Sequence, residues 1–449
     1  MKSLPPARRI LFDCSAQSRS KAFRGIPRVV QSILRHAPDV AKERGGSVIP
    51  ISYAFGGWSE KSLADNDESA PARRDRALLT SLLEQLCGVV PSHRLRRLLL
   101  PPPGRDGVWK FTRLRQGNAL RLYHRLTHRS TSPGNGDVLV LFDLWLRAPN
   151  SFWSNVAKAR RRGAKIVTVV YDLIPITHPH FVGPKHNSRF RKWIHQVAVH
   201  SDCFVAISET VKSELQEYLK ITETHQEWSD DRFFSFMLGS EICDTSGLPV
   251  REKVAAAFKS GSTYLMVGAL EPRKNQGFLL DAFDRLWQRN SDAKLCLVGV
   301  ETRAVPELLE RLRHHPQRDS RLFYFPDLND VELNYCYQHT CAVVYPSIVE
   351  GFGLPIIEAL HHGKAVFASD TRIHREVGRH FCEYFDLGCS TSLTNMIAEH
   401  QSQLDVGNTR PTIVFKSPTW NESCREMLDI CLRRPPGFVL ERQKAGRAA

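Results

Sequence analysis

The second half of the chain alternates short β-rich runs with stretches of helical periodicity, and this restricts the fold more than any other feature of its 449 residues. Residues 263–267, 294–298, 321–325, 341–345 and 365–368 read as strands. Between them apolar side chains recur at helical spacing, as in Phe278, Leu279, Ala282, Phe283 and Leu286, or Leu308, Leu309 and Leu312. Strands separated by such patterns predict parallel pairing through right-handed crossovers, hence a doubly wound α/β sheet. The first half repeats the alternation less cleanly, with strands expected at 10–12, 47–52, 138–142, 165–171 and 203–207. Helices are expected there at 27–35, 152–162, 189–200 and 209–219. Residues 56–136 interrupt the pattern; they are charged, carry Pro101-Pro102-Pro103-Gly104, and read as an insertion. A polar stretch around 240–260 separates the two halves.

Charge is divided unevenly. The net charge of +15 arises from 34 Lys and Arg against 13 Asp and Glu in residues 1–200, and 28 against 34 in residues 201–449. A basic first half suits a polyanionic partner: anionic lipid headgroups, phosphate-bearing substrates or nucleic acid. Two blocks concentrate the charge, residues 93–100 and 113–129. In the second, Arg113, Arg121, Arg125 and Arg129 recur at helical spacing among leucines, either as a basic amphipathic helix on a membrane surface or as a solvated face over a core. The basic blocks lack interleaved aromatics and any nucleic-acid-binding motif, so nucleic acid is not the expected partner. No apolar run approaches the ~20 residues of a membrane-spanning helix. The N-terminal trio Ile10-Leu11-Phe12 is too short for a secretory signal core, so a cytoplasmic location is expected. Eleven cysteines, an odd count without a Cys-x-x-Cys pair, read as buried thiols rather than disulfides or a zinc site.

Two segments carry the chemistry. In Tyr345-Pro346-Ser347-Ile348-Val349-Glu350-Gly351-Phe352-Gly353-Leu354-Pro355, a strand ends, a glycine-bearing loop follows and a proline opens a helix. Loop amides ahead of a helix, assisted by its dipole, form an anion site suited to a diphosphate. Glu350 precedes that loop and can reach the group beyond the phosphate. Glu358, expected in the first helical turn, can accept hydrogen bonds from both hydroxyls of a ribose. The second segment, Glu271-Pro272-Arg273-Lys274-Asn275, leaves a strand and enters a helix. Its adjacent cations are placed to neutralise a diphosphate leaving group without a metal.

These segments resemble the family-four retaining glycosyltransferases of the GT-B fold, also called glycosyl transferases group 1. The Glu350-x7-Glu358 pattern with its embedded Gly-Phe-Gly-Leu-Pro is specific for that family, and residues 271–275 resemble a mannosyltransferase-like branch. In the first half, Arg24-Gly25-Ile26-Pro27-Arg28 looks like the family's glycine-bearing loop, and Val205-Ala206-Ile207-Ser208-Glu209 like the last strand of its N-terminal domain.

The resemblance implies two Rossmann-like domains facing a cleft. Residues 1–245 would form the acceptor-side domain with its basic insertion, 246–419 the nucleotide-sugar donor domain, and 420–449 a helix crossing back to the N-terminal domain, plus a tail. The implied reaction is hexose transfer with retention from a nucleotide sugar, GDP-mannose favoured, to a growing surface-polysaccharide or lipid-linked glycan. It needs no cofactor or metal and is placed peripherally on the inner face of the cytoplasmic membrane.

Glu350 would contact the donor sugar, Glu358 the ribose, and Arg273 and Lys274 the diphosphate, with Asn275, Ser347, Gly351, Phe352, Gly353 and Leu354 completing the donor site. Gly25, Arg28, Tyr171 and Asp172 would line the acceptor side. The family usually carries a histidine facing the donor sugar where this chain has Tyr171, which makes Asp172 the candidate to orient or deprotonate an acceptor hydroxyl. Ala269 likewise stands where many relatives carry arginine, a charge Arg273 can supply. The Tyr171 substitution leaves a second reading, a catalytically silent GT-B scaffold in polysaccharide assembly.

Overall fold

The structure, a computed structural model, describes residues 9–16, 25–54, 56–61, 130–224, 227–241, 248–259, 261–407 and 415–433. The basic blocks at 93–100 and 113–129 lie outside them.

The first sheet is built from β1 (Arg9–Asp13), β2 (Val48–Ala54), β3 (Gly57–Glu60), β4 (Ser130–Thr131), β5 (Asp137–Leu141), β6 (Lys165–Val170), β7 (Cys203–Ala206) and β8 (Phe233–Ser235). Their spatial order is β4-β3-β2-β1-β5-β6-β7-β8. From β2 through β8 every pairing is parallel, with Ile10 beside both Val48 and Val138. Every residue of β5 and β6 is buried, as expected for strands covered on both faces. Helices α1 (Ile26–Glu43), α2 (Asn150–Arg161), α3 (Pro184–His200) and α4 (Glu209–Thr222) belong to this half. Ile10 and Phe12 join a core with Val30 and Ile33 of α1, while Leu11 between them joins Val156 of α2 and Ile194 of α3. The period-2 alternation of one strand thus feeds two helical layers.

Within the stretch read as an insertion, residues 57–60 and 130–131 extend the sheet edge: β3 runs antiparallel to β2, and β4 antiparallel to β3. The stretch around 240–260 also holds a helix, α5 (Glu252–Phe258), whose Val254, Ala257 and Phe258 are buried.

The second sheet comprises β9 (Thr263–Val267), β10 (Lys294–Val298), β11 (Leu322–Phe325), β12 (Ala342–Tyr345), β13 (Ala365–Ser369) and β14 (Glu383–Phe385). All its pairings are parallel, in the order β11-β10-β9-β12-β13-β14. Around it run α6 (Gln276–Gln288), α7 (Pro306–Arg313), α8 (Asp330–His339), α9 (Leu354–His361), α10 (Arg372–Gly378) and α11 (Ser390–Asp405). The direction of winding reverses between β9 and β12. The two loops singled out in the sequence leave the carboxyl ends of those two strands, the crevice where open α/β sheets bind ligands.

The final helix, α12 (Trp420–Leu432), opens with a capping box in which Thr419 and Glu422 satisfy each other's backbone N–H. It returns to the first half and lies on α1. Arg44 grips Asp429 at 2.6 and 2.8 Å, and Arg425 grips Glu43 at 2.5 and 2.7 Å. Beneath, the buried Lys165 of β6 donates to the Cys431 carbonyl at 2.8 Å and also to the Arg433 carbonyl, capping carbonyls that a helix C-terminus leaves unpaired. Lys165→Met strands those carbonyls at a cost of about 1–3 kcal/mol. A lower melting temperature is expected, and an unchanged one would show that Lys165 does not hold α12.

Candidate functional site

The site forms where the loop after β9 meets the loop after β12. The first ends in a 3-10 turn, Pro272–Lys274, and Asn275 adopts a left-handed φ of 60° to turn the chain into α6. The Ile348 amide donates to the Arg273 carbonyl at 2.8 Å, tying the loops together. Gly353 takes φ 100° as the residue capping α9, and Pro355 lies in that helix's first turn, where its missing N–H costs nothing.

Glu350 is clamped between the two cations read from the sequence. Its Oε1 lies 2.6 Å from the Lys274 Nζ and its Oε2 accepts from Arg273 at 2.6 Å. Burial works against the Glu350 charge, but Lys274 and Arg273 outweigh it and pull its pKa down to about 2. Lys274 is itself buried, donates to the Tyr345 hydroxyl at 2.6 Å and lies over that ring. Its stem passes Gly268, where a Cβ would come within 3.3 Å of it. Arg273 also pairs with Glu271 at 3.0 Å.

Glu358 is the fifth residue of α9, not a member of its first turn, and is 2% exposed. The Tyr337 hydroxyl of α8 donates to its Oε2 at 2.7 Å, and Arg28 of α1 pairs with its Oε1 at 2.5 Å. Arg28, expected on the acceptor side, therefore pairs with Glu358, expected at the ribose. Gly25, at φ 67°, is the residue from which α1 starts.

The remaining acceptor-side expectations divide. The Tyr171 side chain does not face the cleft; its hydroxyl donates to the Phe142 carbonyl at 2.7 Å within the first half's core. Its carbonyl is what meets the donor loop: a Cβ on Gly351 would lie 2.0 Å from the Tyr171 oxygen and 3.1 Å from the Asp172 Cβ. Asp172 therefore abuts the loop carrying Glu350. Its carboxyl accepts from the Ile174 amide at 3.1 Å, and burial raises its pKa against the pull of Arg273. His178 stacks on Phe181, and His180 packs at a tilt against both.

Three contributors were not read from the sequence. The Ser208 hydroxyl, at the cap of α4, donates to the Gly351 carbonyl at 2.9 Å. Glu376 of α10 accepts from the amides of Glu209 and Thr210 at 2.7 and 2.8 Å, placing a carboxylate on the N-terminus of α4, where the helix dipole favours it. His374, fully buried, packs on Tyr345 and holds its Nδ1 3.0 Å from the Ser369 carbonyl. Its Nε2 has no hydrogen-bond partner, and burial lowers its pKa to about 4. Ser208 and Glu376 act only where the two halves meet, and His374 is buried among residues of its own half, so no local pattern marks their part in the site.

Among the described residues, no group of three or more His, Cys, Asp or Glu is arranged to hold a metal ion, and no helix is long and apolar enough to cross a membrane. What the arrangement offers is a helix N-terminus flanked by a buried lysine, a partly exposed arginine and two buried carboxylates. It can bind an anionic group and hold hydroxyls on either side of it.

A family model, glycosyl transferases group 1, matches residues 251–383. Among curated proteins, the serotype-specific mannosyltransferase WbdA of Escherichia coli is 28% identical over 300 residues, 65% of this chain and 36% of WbdA. The O-antigen chain mannosyltransferase B of Escherichia coli is 27% identical over 219 residues, 47% of this chain and 55% of that protein. The chain thus spans about a third of the length of WbdA. Among solved structures, Anabaena HepE in complex with UDP and glucose aligns with TM-score 0.54 at 14% identity, covering 94% of each chain. Sucrose-phosphate synthase of Thermosynechococcus elongatus aligns with TM-score 0.52 at 14% identity, covering 95% of each. Two largely parallel sheets facing one another across the Glu350 loop are the GT-B fold, and residues 251–383 of the chain match the glycosyl transferases group 1 family model.

Proposed function

We propose that the chain is a retaining hexosyltransferase that moves mannose from GDP-mannose to a lipid-linked surface glycan, without a metal, at the inner face of the cytoplasmic membrane. The observation that carries this is the Glu350 clamp, an ionised carboxylate held by Arg273 and Lys274 at the N-terminus of α9. The mannosyltransferase names of the relatives support the sugar, and the basic first half supports an anionic, lipid-linked acceptor.

In the reaction, the bond between the anomeric carbon and the diphosphate oxygen breaks, and its electron pair leaves with the diphosphate. Lys274, Arg273 and the amides of Phe352, Gly353 and Leu354 stabilise that charge, a contribution that needs no reorganisation because the groups are already fixed. The acceptor hydroxyl oxygen bonds the same carbon from the same face, and its proton passes to Asp172, whose raised pKa suits it to receive one. Glu350 holds the sugar hydroxyls and Glu358 those of the ribose.

The test is transfer of labelled mannose from GDP-mannose into solvent-extractable lipid-linked product, with a chelator present and UDP-glucose as the competing donor. Label in the lipid fraction supports the proposal. Transfer from UDP-glucose alone replaces the donor, and no turnover of either donor favours the silent scaffold.

A further inference from the structure

The Glu358 carboxylate, read above as the ribose seat, is already occupied. Both of its oxygens are engaged, one by the Tyr337 hydroxyl from its own domain and one by Arg28 from across the cleft. A carboxylate this deeply buried is costly when unpaired, so an empty donor site needs some cation or donor group to face it. Tyr337 is a fixed part of the second half's core. Arg28, on the first turn of α1, is a side chain of the other domain with 21% of its surface exposed and can leave.

We propose that Arg28 is a stand-in for the ribose: it pairs with Glu358 while the site is empty and yields the carboxylate when a nucleotide's ribose hydroxyls arrive. The proposal rests on the reading of Glu358 as the ribose seat. Other contacts between the halves, among them Ser208 to Gly351, Glu376 to the start of α4 and Arg372 to Ser213, do not involve Glu358. The two halves can therefore stay together while Arg28 departs. Arg28 positions Glu358, and the same ion pair lowers the apparent affinity for nucleotide by the fraction of molecules in which it is closed.

GDP, UDP and ADP, each with its 2′,3′-dideoxy form, are titrated by calorimetry into the wild type, Arg28→Ala, Arg28→Lys and Glu358→Gln. The nucleotide that binds the wild type is expected to bind Arg28→Ala about five- to fiftyfold more tightly. Arg28→Lys, which keeps the charge but not the fork, falls between and serves alone if Arg28→Ala does not fold. The gain is lost with the dideoxy form, which has no hydroxyl to claim Glu358; a merely structural Arg28 would shift both forms alike.

Equal or weaker binding to Arg28→Ala, with the wild type still preferring the ribose form, overturns the proposal and leaves Glu358 as the ribose seat. If the wild type binds ribose and dideoxy forms alike and Glu358→Gln binds as the wild type does, the reading of Glu358 fails and the proposal with it. Binding of none of the three nucleotides to any variant removes both.

Discussion

Lys274→Met is expected to reduce transfer by ~10²–10³, the loss typical of removing one group that stabilises a developing anion. The Lys274 Nζ lies 2.6 Å from both the Glu350 carboxylate and the Tyr345 hydroxyl, and the lysine is buried. There a positive charge interacts far more strongly than it would in solvent. Methionine keeps the stem that packs beside Gly268 and deletes only the ammonium. Arg273 remains 2.6 Å from Glu350, so the carboxylate keeps one cation and the fold persists, at some cost in melting temperature. Initial rates with saturating donor check this. Turnover near that of the wild type would mean that Lys274 serves only to neutralise Glu350.

Gly351→Ala should cost about 10²-fold in kcat while nucleotide binding persists, for a different reason. The backbone of Gly351 does not require glycine by its own torsion angles, since it is absent from the positive-φ glycines. The requirement comes from the other domain. A methyl group there would lie 2.0 Å from the Tyr171 carbonyl oxygen, a backbone atom at the end of β6 that cannot swing aside. The donor loop must then retreat from Asp172, and the Ser208 bond to the Gly351 carbonyl is lost. Each domain folds as before, but acceptor and donor groups no longer meet. Separate measurement of kcat and of nucleotide dissociation constant distinguishes this from a defect in the donor site. An unchanged kcat would show that the two halves need not approach this closely in the reaction.

The contrast between these variants shows what a sequence can disclose. Strands β9 to β13 were readable because each is a continuous apolar run ending at a turn residue. The donor loops were readable because a phosphate cradle before a helix needs glycine and proline at fixed offsets. Glu350, Arg273 and Lys274 lie in those loops, so local pattern found them, although it did not show that they bind one another across 77 residues of chain.

Contacts between the halves left no such trace. Arg28 is 330 residues from Glu358, and Glu376 is 167 from Glu209; no periodicity links positions so far apart. Tyr171 follows β6 and its backbone meets the Gly351 loop, but the strand's alternation could not say that its ring turns inward to Phe142 instead of lining the cleft. β4 is two residues long, below the length at which alternation is visible, and α5 is barely two turns.

The most direct test of the donor site is calorimetric titration of GDP, UDP and ADP, in chelator, into the wild-type chain and Lys274→Met. One nucleotide is expected to bind the wild type and to bind the variant at least tenfold more weakly, which corresponds to about 1.4 kcal/mol. Equal affinity for both proteins, or no binding of any nucleotide to the wild type, would contradict a nucleotide-sugar site built around Glu350 and its two cations.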